Sequence, residues 1–214
     1  MQPLLIDIPK IGQAAVLMGH VGPSRNSDAY FPALVANDVL GGGYSARLNQ
    51  EIRIKRGLSY GASSGIASRK QGAPIVAAAQ TRNDAVPQVV ELLGGELARL
   101  GASTIPADEL GNRKAVLIGD FGRSVETVGG LAGQLSELAQ FGLPLAKLQS
   151  YAQDIEAVTA EQATAAAKAH YDPAAASIVV VGDAAVFGAS LKAKYPNLET
   201  IAIDKLSLDS ATLK

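Results

Sequence analysis

Leu40-Gly41-Gly42-Gly43-Tyr44-Ser45-Ala46-Arg47-Leu48-Asn49-Gln50-Glu51-Ile52-Arg53-Ile54-Lys55-Arg56-Gly57-Leu58-Ser59-Tyr60 is the stretch around which the chain is organised. Three glycines interrupt an apolar run, which marks a break after a helix where backbones pack closely. Tyr44, Leu48 and Ile52 then recur at intervals of four, so a second helix with these three residues on its buried face is expected. Lys55 and Arg56 fall where cations favour the negative end of a helix, and Gly57 is placed to cap it. Leu58 to Ser64 reads as a strand. Arg53 therefore stands near a helix end and Tyr60 near the start of the next strand, and both can face one space.

The glycine triplet is not a phosphate loop. A P-loop needs Gly-x-x-x-x-Gly-Lys-Ser/Thr, and a dinucleotide site needs Gly-x-Gly-x-x-Gly after a strand. Neither pattern is met, and these glycines follow a helix.

Upstream, Leu4 to Ile8 is a short apolar segment and Gln13 to Val21 reads as a strand. Ser27 or Asp28 is placed to cap the next helix, with Pro32 in its first turn and Phe31, Leu34, Val35, Val39 and Leu40 along one face. Downstream, Tyr60–Ala67 and Pro74–Thr81 read as two strands joined by the polar loop 68–72. Val86, Val89, Leu93, Leu97 and Leu100 then define an amphipathic helix. Thr104-Ile105-Pro106-Ala107-Asp108-Glu109 starts another helix, leading through Val116-Leu117-Ile118 to a helical run at Leu131–Leu138. Gly142-Leu143-Pro144 is a break, and Ala146–Ile155 is helical. Thr159-Ala160-Glu161-Gln162 is a capping box for an alanine-rich helix that ends before Asp172-Pro173. Ser177–Asp183 reads as a buried strand, Ala185–Lys194 as a short helix and Glu199–Asp204 as a final strand. The order is not the regular strand–helix alternation of a doubly wound sheet. It fits one α+β domain spanning 1–214, with helices packed on an antiparallel or mixed sheet.

Composition narrows the function. Hydrophobic residues make up 48 % of the 214, but aromatics only 5 %, with no tryptophan, so the core is built from Ala, Val, Leu and Ile. A net charge of −1 with no basic run offers no footprint for nucleic acid. No apolar segment approaches the length of a membrane span. Met1–Asp7 lacks the basic start and long apolar run of a signal peptide. The absence of cysteine excludes disulfides, thiolate metal sites and a cysteine nucleophile. The scattered Asp and Glu residues show no paired spacing that would support a carboxylate hydrolase. Val181-Gly182-Asp183 reads as a strand end and turn, and His170 as a helix-terminal residue.

The pattern Leu40-Gly41-Gly42-Gly43-x-Ser45-x-Arg47-Leu48, then Ile52-Arg53 and Arg56-Gly57-Leu58-Ser59-Tyr60, resembles the pitrilysin-type (M16) zinc peptidases, and among them the non-catalytic C-terminal half. Asn37, Glu109-Leu110, Phe141-Gly142-Leu143-Pro144, Ile155–Gln162 and Val179–Asp183 extend the likeness, in order, over nearly the whole chain. The resemblance implies a LuxS/mitochondrial-processing-peptidase-like α+β roll, with helices on one face of a mostly antiparallel sheet. It implies that an arginine and a tyrosine seven positions apart, here Arg53 and Tyr60, reach across to a zinc site carried by the other half. Arg53 would donate to carbonyl oxygens of an extended peptide. Tyr60 would donate to the carbonyl oxygen that becomes negative during attack.

The chain departs from the catalytic halves in one respect. Those carry His-x-x-Glu-His on a helix, which puts two imidazoles on one face of Zn²⁺. Here the only histidines are His20 and His170. No metal site and no self-contained catalytic group are therefore expected in this chain. Zinc, its ligands and the general base are expected in a partner half, on the same precursor or a separate subunit, forming a dimer of halves around a peptide substrate. Two other readings stand beside this one. The family also includes scaffold subunits, such as core proteins of a respiratory complex, in which Arg53 and Tyr60 would be relics of ancestry. The plain reading of Arg53 is a surface cation at a helix end, and that of Tyr60 a strand aromatic packed on a helix. Because many bacterial relatives are exported, the resemblance implies the periplasm, with the cytoplasm as the alternative.

Overall fold

A computed structural model describes residues 3–214. Six strands form one sheet: β1 (Leu4–Asp7), β2 (Ala14–Gly22), β3 (Ser59–Ile66), β4 (Ala73–Thr81), β5 (Ser177–Gly182) and β6 (Glu199–Ala202). Their spatial order is β3-β4-β2-β5-β1-β6. β2 runs antiparallel to both β4 and β5, and β3 and β4 form an antiparallel hairpin. The parallel pairs are those of β1 with β5 and with β6. The fold is thus α+β on a mostly antiparallel sheet. The segment 4–7, read from sequence only as apolar, is a strand held between two others.

Period-two burial shows which face carries the core. Val16 and Met18 of β2, Ile75, Ala77 and Ala79 of β4, and Ile178 and Val180 of β5 are buried, while the residues between them are not. Against the buried face pack helices α1 (Tyr30–Gly41), α3 (Val86–Ala102) and α7 (Ala160–His170), with α8 (Ala184–Lys194) beside β1. Val86, Val89, Leu93, Leu97 and Leu100 are all buried along α3, as their spacing requires. Helices α4 (Ala107–Val125), α5 (Val128–Phe141) and α6 (Ala146–Glu156) complete an outer layer.

Several helix boundaries follow local chemistry. Thr159 and Gln162 form the expected capping box, and Gly142 ends α5 at φ +66°. Tyr171, just past α7, is fully buried, and its hydroxyl donates to the Ala33 carbonyl at 3.0 Å. Helix α1, like α3, α4 and α6, lacks a side-chain cap. Ser27 accepts from the Ala29 amide, but the helix begins at Tyr30 with no side-chain cap. The final strand also stops at Ala202, because 203–205 turn into a 3-10 helix.

Candidate functional site

The glycine-to-tyrosine stretch forms a loop, a distorted helix and a bulged strand, and each distortion re-aims a side chain. Gly41 ends α1 against β3. A Cβ there would overlap the Ser64 amide nitrogen and lie 2.7 Å from the Ser63 carbonyl carbon. The close approach anticipated for the triplet therefore falls on Gly41. Gly42 lies against Asp38 of α1, with equally little room. The chain then turns, and Ala46 is extended at ψ 159°.

Helix α2 occupies only Arg47–Asn49 and runs into a π-helical turn, Gln50–Ile54. Leu48 and Ile52 are buried as expected, but Tyr44 is not: it precedes the helix and is 65 % exposed. Tyr44 therefore leaves the buried face assigned to it. The π turn closes with the Lys55 amide on the Gln50 carbonyl. Next, the Leu58 amide bonds the Ile52 carbonyl across Gly57, at φ +61°, as in a Schellman cap. Lys55 and Arg56 do not simply face the helix end. Both pair with Glu51, and Arg56 also donates to the Glu51 carbonyl. Their hydrogen bonds hold the Glu51 carboxyl below its usual range.

Strand β3 opens with a bulge between Ser59 and Ala62, where the register to β4 shifts. The Ser59 hydroxyl donates to the Gly61 carbonyl at 2.6 Å and accepts from the Gly61 amide at 3.1 Å. Such a bulge turns a side chain out of the ladder. Here it leaves Tyr60 88 % exposed.

These distortions bring three side chains together. The Arg53 guanidinium carbon lies 4.8 Å from the Tyr60 ring centre and 4.9 Å from that of Tyr44. Arg53 and Tyr60, the predicted pair, thus meet in space. Tyr44 is the member that sequence reading missed, because counting in fours placed it on a helix that starts three residues later. All three line an open cleft of about 810 Å³. Leu17, Ala78 and Ser63 lie side by side across three strands on its floor, on the sheet face turned away from the helices. Among the described residues, Arg53 is the only Lys, Arg, Asp or Glu on the cleft wall.

Behind the loop lies a second, buried set of charges. Arg113 of α4 is 6 % exposed and donates from Nη2 to the Ser45 hydroxyl at 2.8 Å, with Nη1 4.0 Å from Asp38 Oδ2. Burial pushes the Asp38 carboxyl up to about 6, against the pull of Arg113 and with a smaller push from Asp120. Arg47 grips Glu109 of α4 with two parallel bonds of 2.8 and 2.6 Å.

The residues present do not fit zinc. Among the described residues no three His, Asp or Glu side chains converge as metal ligands. The fold does bring His170 and Asp172 within electrostatic range of His20, but burial is the largest influence on His20 and lowers its pKa.

Residues 2–117 match the model of the peptidase M16 inactive domain, and the chain belongs to that family. Among curated proteins it is 30 % identical, over 60 % of its length, to an uncharacterized zinc protease of Streptomyces coelicolor, of which the match spans only 28 %. Among solved structures it superimposes, at TM-score 0.78 and 28 % identity, on a peptidase M16 inactive domain from Pseudomonas fluorescens, covering 85 % of this chain and 44 % of that one. A chain of Candida albicans complex III shares the fold at TM-score 0.72 and 15 % identity, over 87 % of this chain and 47 % of that one. The chain thus spans less than half the length of these relatives.

Proposed function

We propose that residues 1–214 act as the non-catalytic half of a zinc metallopeptidase and pair with a half that carries His-x-x-Glu-His. The observation that carries this reading is the meeting of Arg53 and Tyr60 on an open cleft, in a chain among whose described residues no set of zinc ligands converges. The partner half supplies the zinc and the general base. Arg53 donates to carbonyl oxygens of an extended peptide lying over the cleft. Tyr60 donates its phenol proton in a hydrogen bond to the oxygen that gains charge during attack. One such preorganised donor is typically worth roughly 3 kcal/mol of barrier. Membership of the inactive-domain family and kinship with a zinc protease support the assignment.

The test is peptide cleavage by the His-x-x-Glu-His half, with and without this chain. Activity is expected only on mixing, and Tyr60→Phe is expected to lower it at least tenfold, about 1.4 kcal/mol of barrier. If mixing has no effect, or if Tyr60→Phe and Arg53→Ala both match wild type, the chain is a scaffold subunit. The shared fold with a complex III chain makes that the competing reading.

A further inference from the structure

Building on that reading, we propose that Tyr44 is a positioning residue for Arg53, holding the guanidinium in the cleft with its edge N–H groups free for the peptide. Arg53 bridges the Tyr44 and Tyr60 rings at 4.9 and 4.8 Å. Among the described residues its guanidinium has no hydrogen bond and no carboxylate partner, so the two rings are what fix it. A guanidinium held through its faces keeps its in-plane donors unspent, whereas one held by a carboxylate does not. An arginine that must offer donors to passing carbonyl groups needs the first arrangement.

Tyr44 is exposed, but it is not a loose loop residue. Its carbonyl accepts from Asn49 Nδ2 at 2.7 Å, and Asn49 is 3 % exposed. The Oδ1 of the same Asn49 accepts from the Ala62 amide at 3.3 Å, just past the bulge that carries Tyr60. One buried amide therefore ties together the two segments that bear the rings. The neighbouring Ser45 is fixed from behind by Arg113. A ring on a pinned backbone can orient a long flexible cation at little entropic cost.

The experiment uses the assembled pair of halves. Tyr44→Ala is expected to lower kcat/KM about tenfold, with the loss in the same parameter, kcat or KM, as for Arg53→Ala. Tyr44→Phe keeps the ring and stays within about twofold of wild type. The double variant Tyr44→Ala/Arg53→Ala is expected to be no worse than Arg53→Ala, because the tyrosine acts through the arginine. Losses that add, or a silent Tyr44→Ala beside an impaired Arg53→Ala, overturn the proposal and leave the peptidase reading standing. A silent Arg53→Ala instead removes the arginine from the cleavage reaction, and together with a silent Tyr60→Phe it defeats the peptidase reading. The clamp is then judged by NMR of this chain, where the Arg53 Nε–H resonance should lose the Tyr44 share of its ring-current shift in Tyr44→Ala and keep it in Tyr44→Phe. An unmoved resonance in Tyr44→Ala overturns the clamp.

Discussion

Arg113 and Arg53 sit on opposite sides of one loop and are treated in opposite ways. Arg113 is sealed behind residues 42–45, bonded to Ser45 and set beside the Asp38 carboxylate. Arg53 stands in front of the same loop, half-buried, with aromatic faces for company and, among the described residues, no carboxylate partner. A buried guanidinium must be paired, because an uncompensated charge in low dielectric is costly. A half-exposed one can stay unpaired, because water serves its free donors until a ligand arrives. The difference separates an arginine that builds the loop from one the loop presents.

The largest expected effect falls on the sealed side. Arg113→Ala leaves Asp38 buried without its counter-charge and opens a void beside Ser45. A loss of about 3–5 kcal/mol is expected, the range for breaking a buried pair, read as a lower midpoint in urea denaturation. Gly41→Ala should follow. Its new Cβ meets the β3 backbone at Ser63 and Ser64, not the end of a flexible side chain, so the strand or the helix must shift. A cost of about 1–3 kcal/mol is expected, as for overpacking. If Gly41→Ala melts like wild type, the loop is not pinned and the contrast between its two sides loses its basis.

Asp38 sharpens the comparison through pH. Its folded pKa of about 6 lies above the ordinary 3.8. Between those values the folded state binds the extra proton, so this group adds stability as pH falls and takes it away as pH rises through about 6. Asp38→Asn removes the dependence. The variant should therefore gain on wild type between pH 5 and pH 7.5, measured as the difference of the two melting temperatures at each pH. His20 works the other way, since its lowered pKa costs stability as pH falls below 6.5. It is common to both proteins and cancels in the difference. A melting difference that is flat with pH would mean that Asp38 is better solvated than its 5 % exposure indicates.

The two sides also differ in how legible they were. The presented side was largely readable. Seven positions separate Arg53 from Tyr60, a helix end and a strand start are both marked by Gly57, and the structure puts the two side chains together. The five apolar residues of α3 and the capping box at Thr159 were readable for the same reason, since each is a local pattern. The sealed side was not. Arg113 is 68 positions from Ser45, no local pattern links the two, and only tertiary packing makes it a core residue. Tyr44 was misplaced because the extended Ala46 delays the helix, and no residue type announces that delay. The π turn and the bulge are irregularities, and periodicity averages over irregularities.

The smallest expected effect on stability is at Tyr60, and it cuts the comparison most finely. At 88 % exposure, the Tyr60 hydroxyl has no buried partner to strand when it is removed. Tyr60→Phe also keeps the ring that faces Arg53. The change should therefore shift stability by no more than about 0.5 kcal/mol, as for surface substitutions generally. The same substitution is expected to remove at least tenfold of activity in the assembled pair, about 1.4 kcal/mol of barrier. A residue that stabilises the fold moves both quantities together, as Arg113→Ala should. A residue that the fold presents moves only the second. Should Tyr60→Phe instead unfold the chain as readily as Arg113→Ala, its hydroxyl belongs to the structure, and the front of the loop is built on the same terms as the back.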